Sequence, residues 1–191
     1  MTASAVRESR RIDIAVGRYR VIAGALNGRC IAKLFLGKRQ ILEREGDSVA
    51  SAVAAVKAAI EERHRERLAR RKDGVPTSKE FAEVLERLAD ELPDGHRNML
   101  RAHRRASGRT LTSREIARAG GYEDFEAANL QYGLLGRKIA KLLDYQPDRR
   151  PSDGQPIWTK TLATGQLHQT SGLWTWTMHD ELAQAMDELG W

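Results

Sequence analysis

The chain has a single cysteine, Cys30, among 191 residues. One thiol cannot form an intramolecular disulfide, and a reducing compartment fits that usage. The opening stretch MTASAVRESRRIDIAV lacks the apolar run of a signal peptide. No stretch approaches the length of a membrane span. These absences lead us to expect a cytoplasmic protein with no membrane partner. Internal repeats are absent, and the only biased tract is the Ala-rich SVASAVAAVKAAI. No glycine-rich loop matches a phosphate-binding or dinucleotide fingerprint. His96 and His103 are seven residues apart, roughly 10 Å along one helix, too far to ligate one metal. His64, His168 and His179 are isolated, and no cysteine–histidine pairing suggests a zinc site or thiol nucleophile. We therefore expect no cofactor, no metal and no enzymatic activity.

What is present is charge. Charged residues make up 30% and hydrophobic residues 41%, so a packed core is expected and wholesale disorder is not. The net charge is +6 and the isoelectric point about 9.7. That balance favours an acidic partner such as nucleic acid. The richness in Ala and Arg fits a bacterial genome of high GC content. Residues 1–75 and 96–145 carry an excess of Lys and Arg, while 76–95 are acidic. Two basic blocks around an acidic one suggest two modules. Gly74 and Pro76 interrupt a helical pattern at the break. The expected organisation is α+β: a β-sheet and helix module over 1–72, a helical connector over 73–93, and a mostly helical domain over 94–191.

In the first module, Asn27-Gly28 is a strong two-residue hairpin signal, because a type I′ turn needs positive φ at both central positions. Folding there pairs Leu26 with Arg29, Ala25 with Cys30 and Gly24 with Ile31. Parity then sorts the side chains. One face carries Tyr19, Val21, Ala23, Ala25, Cys30, Ala32, Leu34 and Leu36. The other carries Arg18, Arg20, Ile22, Arg29, Ile31, Lys33 and Phe35. A turn at Gly37-Lys38 leads to a third strand, whose Gln40, Leu42 and Arg44 are expected on that second, basic face. Gly46-Asp47-Ser48 ends the sheet and caps a helix. Its Val49, Ala52, Val53, Val56 and Ile60 make a stripe that covers the apolar sheet face. The charged EERHRERLARRK beyond it reads as a solvated extension. Three strands backed by one helix leave a basic face open, the geometry with which a small sheet can enter a major groove.

The pieces GRYRV, NGRCIAKLF, GKRQI and GDSVASAVAAV, in that order over residues 16–60, resemble the amino-terminal arm-binding domains of tyrosine recombinases and the plant Apetala-type DNA-binding domains. That resemblance implies DNA contact by exposed strand residues, here Arg18, Arg20, Arg29, Lys33 and Arg44. Two other uses of the face remain open at this point. Ile22, Ile31, Phe35 and Leu42 would form an apolar patch there that suits a protein partner, and the face could be merely solvated.

The connector opens with TSKEF, a capping-type start, and places Phe81, Val84, Leu85 and Leu88 on one helical side. Thr112 and Glu115 fit a capping box, Gly120-Gly121 ends a short helix, and Asp124 caps a long one. PIWTKTLATG and GLWTWTMH read as the strands of a hairpin, and DELAQAMDELGW as a closing helix. This arrangement over residues 94–191 looks like a winged-helix domain with an added helix. The stretches YEDFEAANLQYGLLGRKIA and WTWTMHDELAQAMDELGW also resemble small domains attached to bacterial HNH-type restriction endonucleases. The chain lacks the His- and Asn-bearing core of those nucleases, so the resemblance implies no cleavage.

In winged-helix proteins the second helix of the motif enters the major groove. Here that is the helix following Asp124, with Phe125, Ala128, Tyr132, Leu135, Ile139 and Leu142 expected inward. Glu126, Leu130, Leu134, Arg137, Lys138 and Lys141 are expected outward, with Asn129 and Gln131 able to read adenine edges. Lys160 and the wing residues His168 and Gln169 are further candidates for nucleic-acid contact. Trp174 and Trp176 share one face, expected to press on the final helices. Leu130 and Leu134 do not suit a groove-reading helix. They point instead to a homodimer or a protein partner, and Gly133 and Gly136 would admit another backbone. The function expected is a non-enzymatic DNA-binding protein, a regulator or a targeting part of a mobile-element or defence system. A protein–protein adaptor is the alternative, and RNA is not distinguished from DNA.

Overall fold

A computed structural model describes residues 11–167 and 174–191, the side chain of Phe125 excepted. The fold is α+β and divides into two compact units, residues 1–69 and 70–191.

Alternating apolar residues build the first unit. Strands β1 (Ile12–Val16), β2 (Tyr19–Leu26), β3 (Arg29–Leu36) and β4 (Arg39–Gly46) form an antiparallel meander in chain order. The β2–β3 register is the one expected, with Leu26 opposite Arg29 across Asn27 and Gly28, both at positive φ. The sheet has four strands where three were expected. β1 is short, but its Ile12, Ile14 and Val16 alternate and pair with Ala23, Val21 and Tyr19.

A second departure lies in β4. A bulge opposite Leu34 and Phe35 places one extra residue, Ile41, in that strand. Before it, Gln40 faces Phe35. After it, Leu42 pairs with Leu34 and Arg44 with Ala32. Leu42 and Arg44 therefore lie on the apolar side, not the open one. The cause is the adjacent pair Ile41-Leu42, which strict alternation would split between faces; with the bulge, both pack on the core.

Helix α1 (Val49–Ala69) covers that core with Ala52, Val53 and Val56. Ser48 caps it: its Oγ accepts the Ser51 N–H at 3.1 Å, and the Ser51 Oγ accepts the Ser48 N–H at 3.0 Å. A Cβ on Gly46 would collide with Ser51, so glycine is required where the strand passes onto the helix.

The second unit contains α2 (Ser78–Leu88), α3 (Asp94–Arg105), β5 (Thr110–Thr112), α4 (Ser113–Gly120), α5 (Phe125–Leu143), β6 (Ala163–Leu167), β7 (Trp174–Met178) and α6 (Asp180–Glu188). Both capping boxes form, Thr77 with Glu80 and Thr112 with Glu115, and Asp124 caps α5. The sheet runs β5-β7-β6. β5 was not anticipated; three residues are too few for a periodic signal. Phe81, Val84, Leu85 and Leu88 of α2 lie in one core with Met99, Tyr132, Ile139 and Met186. The segment expected as a connector is thus an integral layer of this unit.

Residues 158–161 form a 3-10 turn, not the expected strand; only 163–167 are extended. The turn packs on α5 at its glycines. A Cβ on Gly136 would run into the Trp158 carbonyl, whereas one on Gly133 would meet Thr159 Oγ1 at an ordinary 3.9 Å. The backbone that Gly136 admits is the chain's own. Gly136→Ala is expected to cost about 1–3 kcal/mol through overpacking, despite alanine's helix advantage. Gly133→Ala should be neutral or stabilising by up to about 1 kcal/mol. Urea midpoints of the two variants check this, and equal midpoints would contradict it.

Candidate nucleic-acid interface

The open face of the first sheet follows from the register. Its cross-strand rows are Ala15–Arg20–Phe35–Gln40 and Asp13–Ile22–Lys33–Glu43, then Gly24–Ile31–Glu45 and Leu26–Arg29. The bulge matters here, because it turns Glu43 and Glu45 to this side. Arg20 donates to both Asp13 carboxylate oxygens, at 2.7 and 2.5 Å. The hydrogen bonds from Arg20 hold the Asp13 carboxyl below its ordinary pKa, and the same bonds raise that of Arg20. Lys33 Nζ lies 3.3 Å from Glu43, and Arg29 pairs with Glu45. Each expected DNA-contacting cation within the strands of this face thus has a carboxylate beside it. Half-buried Ile22, Ile31 and Phe35 lie between the pairs.

Arg18 sits in the β1–β2 turn, its guanidinium 5.8 Å from the Tyr19 ring. The β3–β4 turn comes to the same end of the meander and presents exposed Lys38 and Arg39. Arg44 is exposed and donates to the Glu43 carbonyl at 3.0 Å. Residues 1–69 hold 14 Lys and Arg against 8 Asp and Glu, while 70–191 hold 18 against 18. The entire net charge of +6 therefore belongs to the first unit.

On α5, Ala128, Tyr132, Leu135 and Ile139 are buried as expected and Leu142 is half-buried. The inward position of Phe125 lies outside the described side chains. Asn129 is exposed. Gln131 is turned toward α3, where its Oε1 accepts from His96 Nε2 at 3.2 Å. The Arg137 guanidinium lies 5.8 Å from the Trp158 ring, and Lys138 reaches Glu91 at 3.0 Å. Lys141 is exposed. Lys160 is bound to Asp148 at 2.6 Å. His168 and Gln169 lie outside the described residues. Trp176 packs on the core, but Trp174 stacks on it from outside and is 50% exposed.

The residues overlooked by sequence reasoning are the acids Asp13, Glu43 and Glu45. The alternation in RIDIAV was the available signal for the first, and the Ile41-Leu42 doublet for the other two. Among the described residues, no cluster of three or more His, Cys, Asp or Glu is placed to hold a metal ion, and no helix is long and apolar enough to cross a membrane. No protein-family model, no curated protein and no solved structure matches this chain.

Proposed function

We propose that this chain is a two-unit DNA-binding protein whose affinity comes mainly from the first unit. The observation that carries this reading is the segregation of charge, an excess of six cations in residues 1–69 beside an electroneutral remainder. Phosphate contacts supply most of the affinity of such proteins. The candidate contacts are Arg18, Lys38 and Arg39 at the turn end of the sheet. Arg20, Arg29 and Lys33 would have to leave their carboxylates to join them. The order α3-β5-α4-α5-β6-β7, with β5 beside β7, supports reading residues 94–191 as a winged helix.

A fluorescence-anisotropy titration of the full chain with random duplex DNA tests the proposal. With about three phosphate contacts, affinity should fall about fortyfold between roughly 50 and 200 mM salt. Lys38→Glu with Arg39→Glu should lower the salt slope by about two. No binding at the lower salt would overturn the proposal. A second reading, a protein-binding adaptor, is favoured by Leu130 and Leu134, which are 62% and 43% exposed at the centre of a helix face.

A further inference from the structure

Helix α5 leaves one face uncovered. Ala127, Leu130, Leu134, Arg137 and Lys141 recur at alternating steps of three and four, the spacing of a helix–helix seam, and all five are exposed. The neighbouring faces are occupied: Tyr132, Leu135 and Ile139 are in the core, and Gly136 is against Trp158. The two ends of the stripe differ in sign. Exposed Glu126 stands at the amino-terminal end, with Glu123 just before the helix. Arg137, Lys138 and Lys141 stand at the carboxy-terminal end.

We propose that α5 pairs antiparallel with α5 of a second copy of this chain, about a two-fold axis level with Tyr132. Residues equally distant from position 132 then meet. Leu130 of each copy packs on Leu134 of the other, and Glu126 faces Lys138. Glu123 faces the end that carries Lys141, and small Ala127 lies beside the long Arg137, whose methylenes can cover it. The same patch serves both copies, as an isologous interface requires. A parallel pairing would instead set Glu126 against Glu126 and Lys138 against Lys138. Lys138 keeps its reach to Glu91 and gains a second carboxylate. The seam is about two heptads long, so the dimer belongs to the small, dissociable class. It requires no nucleic acid.

Sedimentation velocity on the full chain, from about 1 to about 100 µM, is the test. The mass should rise from monomer toward dimer over that range. Leu130→Ser with Leu134→Ser should remain monomeric while its melting temperature holds. Glu126→Lys alone and Lys138→Glu alone should each weaken association on the order of tenfold. The double variant Glu126→Lys with Lys138→Glu should recover it, because only an antiparallel reciprocal pair restores opposite charges at both contacts. A monomer at every concentration, a dimer indifferent to the leucine changes, or a double variant no better than the single ones would each overturn the proposal.

Discussion

Replacing Arg71 by alanine is expected to destabilise the second unit by about 3–5 kcal/mol, the cost of removing one partner of a buried ion pair. For a unit of this size that is a fall in melting temperature of about 10–20 °C. The Arg71 side chain is 3% exposed and that of Glu80 7%. Arg71 Nη2 donates to Glu80 Oε1 at 2.7 Å and to the Leu143 carbonyl at 2.9 Å, near the end of α5. Its guanidinium also lies 5.7 Å from the Tyr145 ring. Glu80 Oε2 meanwhile accepts from the Thr77 N–H at 2.9 Å and hydroxyl at 3.2 Å, closing the capping box of α2. One guanidinium thus joins the start of α2 to the finish of α5. Without it a buried carboxylate loses its guanidinium partner, and a helix-terminal carbonyl loses its donor. Arg71→Lys should not rescue, because an ammonium cannot reproduce the fork that reaches both acceptors. Exposed Glu83 or Glu86 to alanine should shift stability by no more than about 0.5 kcal/mol. Urea unfolding of the full chain measures all four, and a loss below about 1 kcal/mol for Arg71→Ala would refute the argument.

How much of this was legible in the sequence depended on the range of the interaction. Asn27-Gly28 and the alternation around it specified the β2–β3 register residue by residue, because turn type and parity are local properties. The capping boxes at Thr77 and Thr112 were legible for the same reason. Parity failed once, at Ile41-Leu42, and the failure reversed the meaning of the face. Counting alternation outward from a turn cannot detect that two adjacent apolar residues both pack inward. The acids that follow the bulge decide whether the open side is a cation array or a set of ion pairs. Gly133 and Gly136 announced a close backbone approach, but not that it occurs at Gly136 alone or that the visitor is the Trp158–Thr159 segment of the same chain. Arg71 gave no signal at all. It stands between Arg70 and Lys72 in a basic run, and only the tertiary arrangement of α2 against α5 separates it from its exposed neighbours.

Acidification from about pH 7.5 to about pH 5 should weaken the second unit through His103. This ring is fully buried between α3, α5 and β7. Its Nε2–H donates to the Trp176 carbonyl at 2.8 Å, and Nδ1 accepts from the Tyr132 hydroxyl at 2.7 Å. Both nitrogens are satisfied in the neutral form. Burial lowers the pKa of His103 below its ordinary 6.5, although the Trp176 carbonyl works in the opposite sense. Burial also raises that of Tyr132, so the phenol remains a donor. Above the unfolded value of 6.5 neither state holds the extra proton, and stability is flat. Below it the unfolded chain takes up a proton that the native ring refuses. Stability then falls with a limiting slope of about 1.4 kcal/mol per pH unit until the native pKa is reached. His96 shifts in the same direction, chiefly by burial, and steepens the slope. The lowered carboxyls of Asp13 and Glu115 act only at more acid pH, near and below their ordinary values of 3.8 and 4.5. Melting temperatures at half-unit steps should therefore decline below about pH 6.5. His103→Gln should remove most of that decline, leaving the share due to His96. Tyr132→Phe, by withdrawing the donor to Nδ1, should cost about 1–3 kcal/mol already at neutral pH. An unchanged slope in the His103→Gln protein would show that the imidazole is protonated within the fold, and that its two hydrogen bonds are arranged differently.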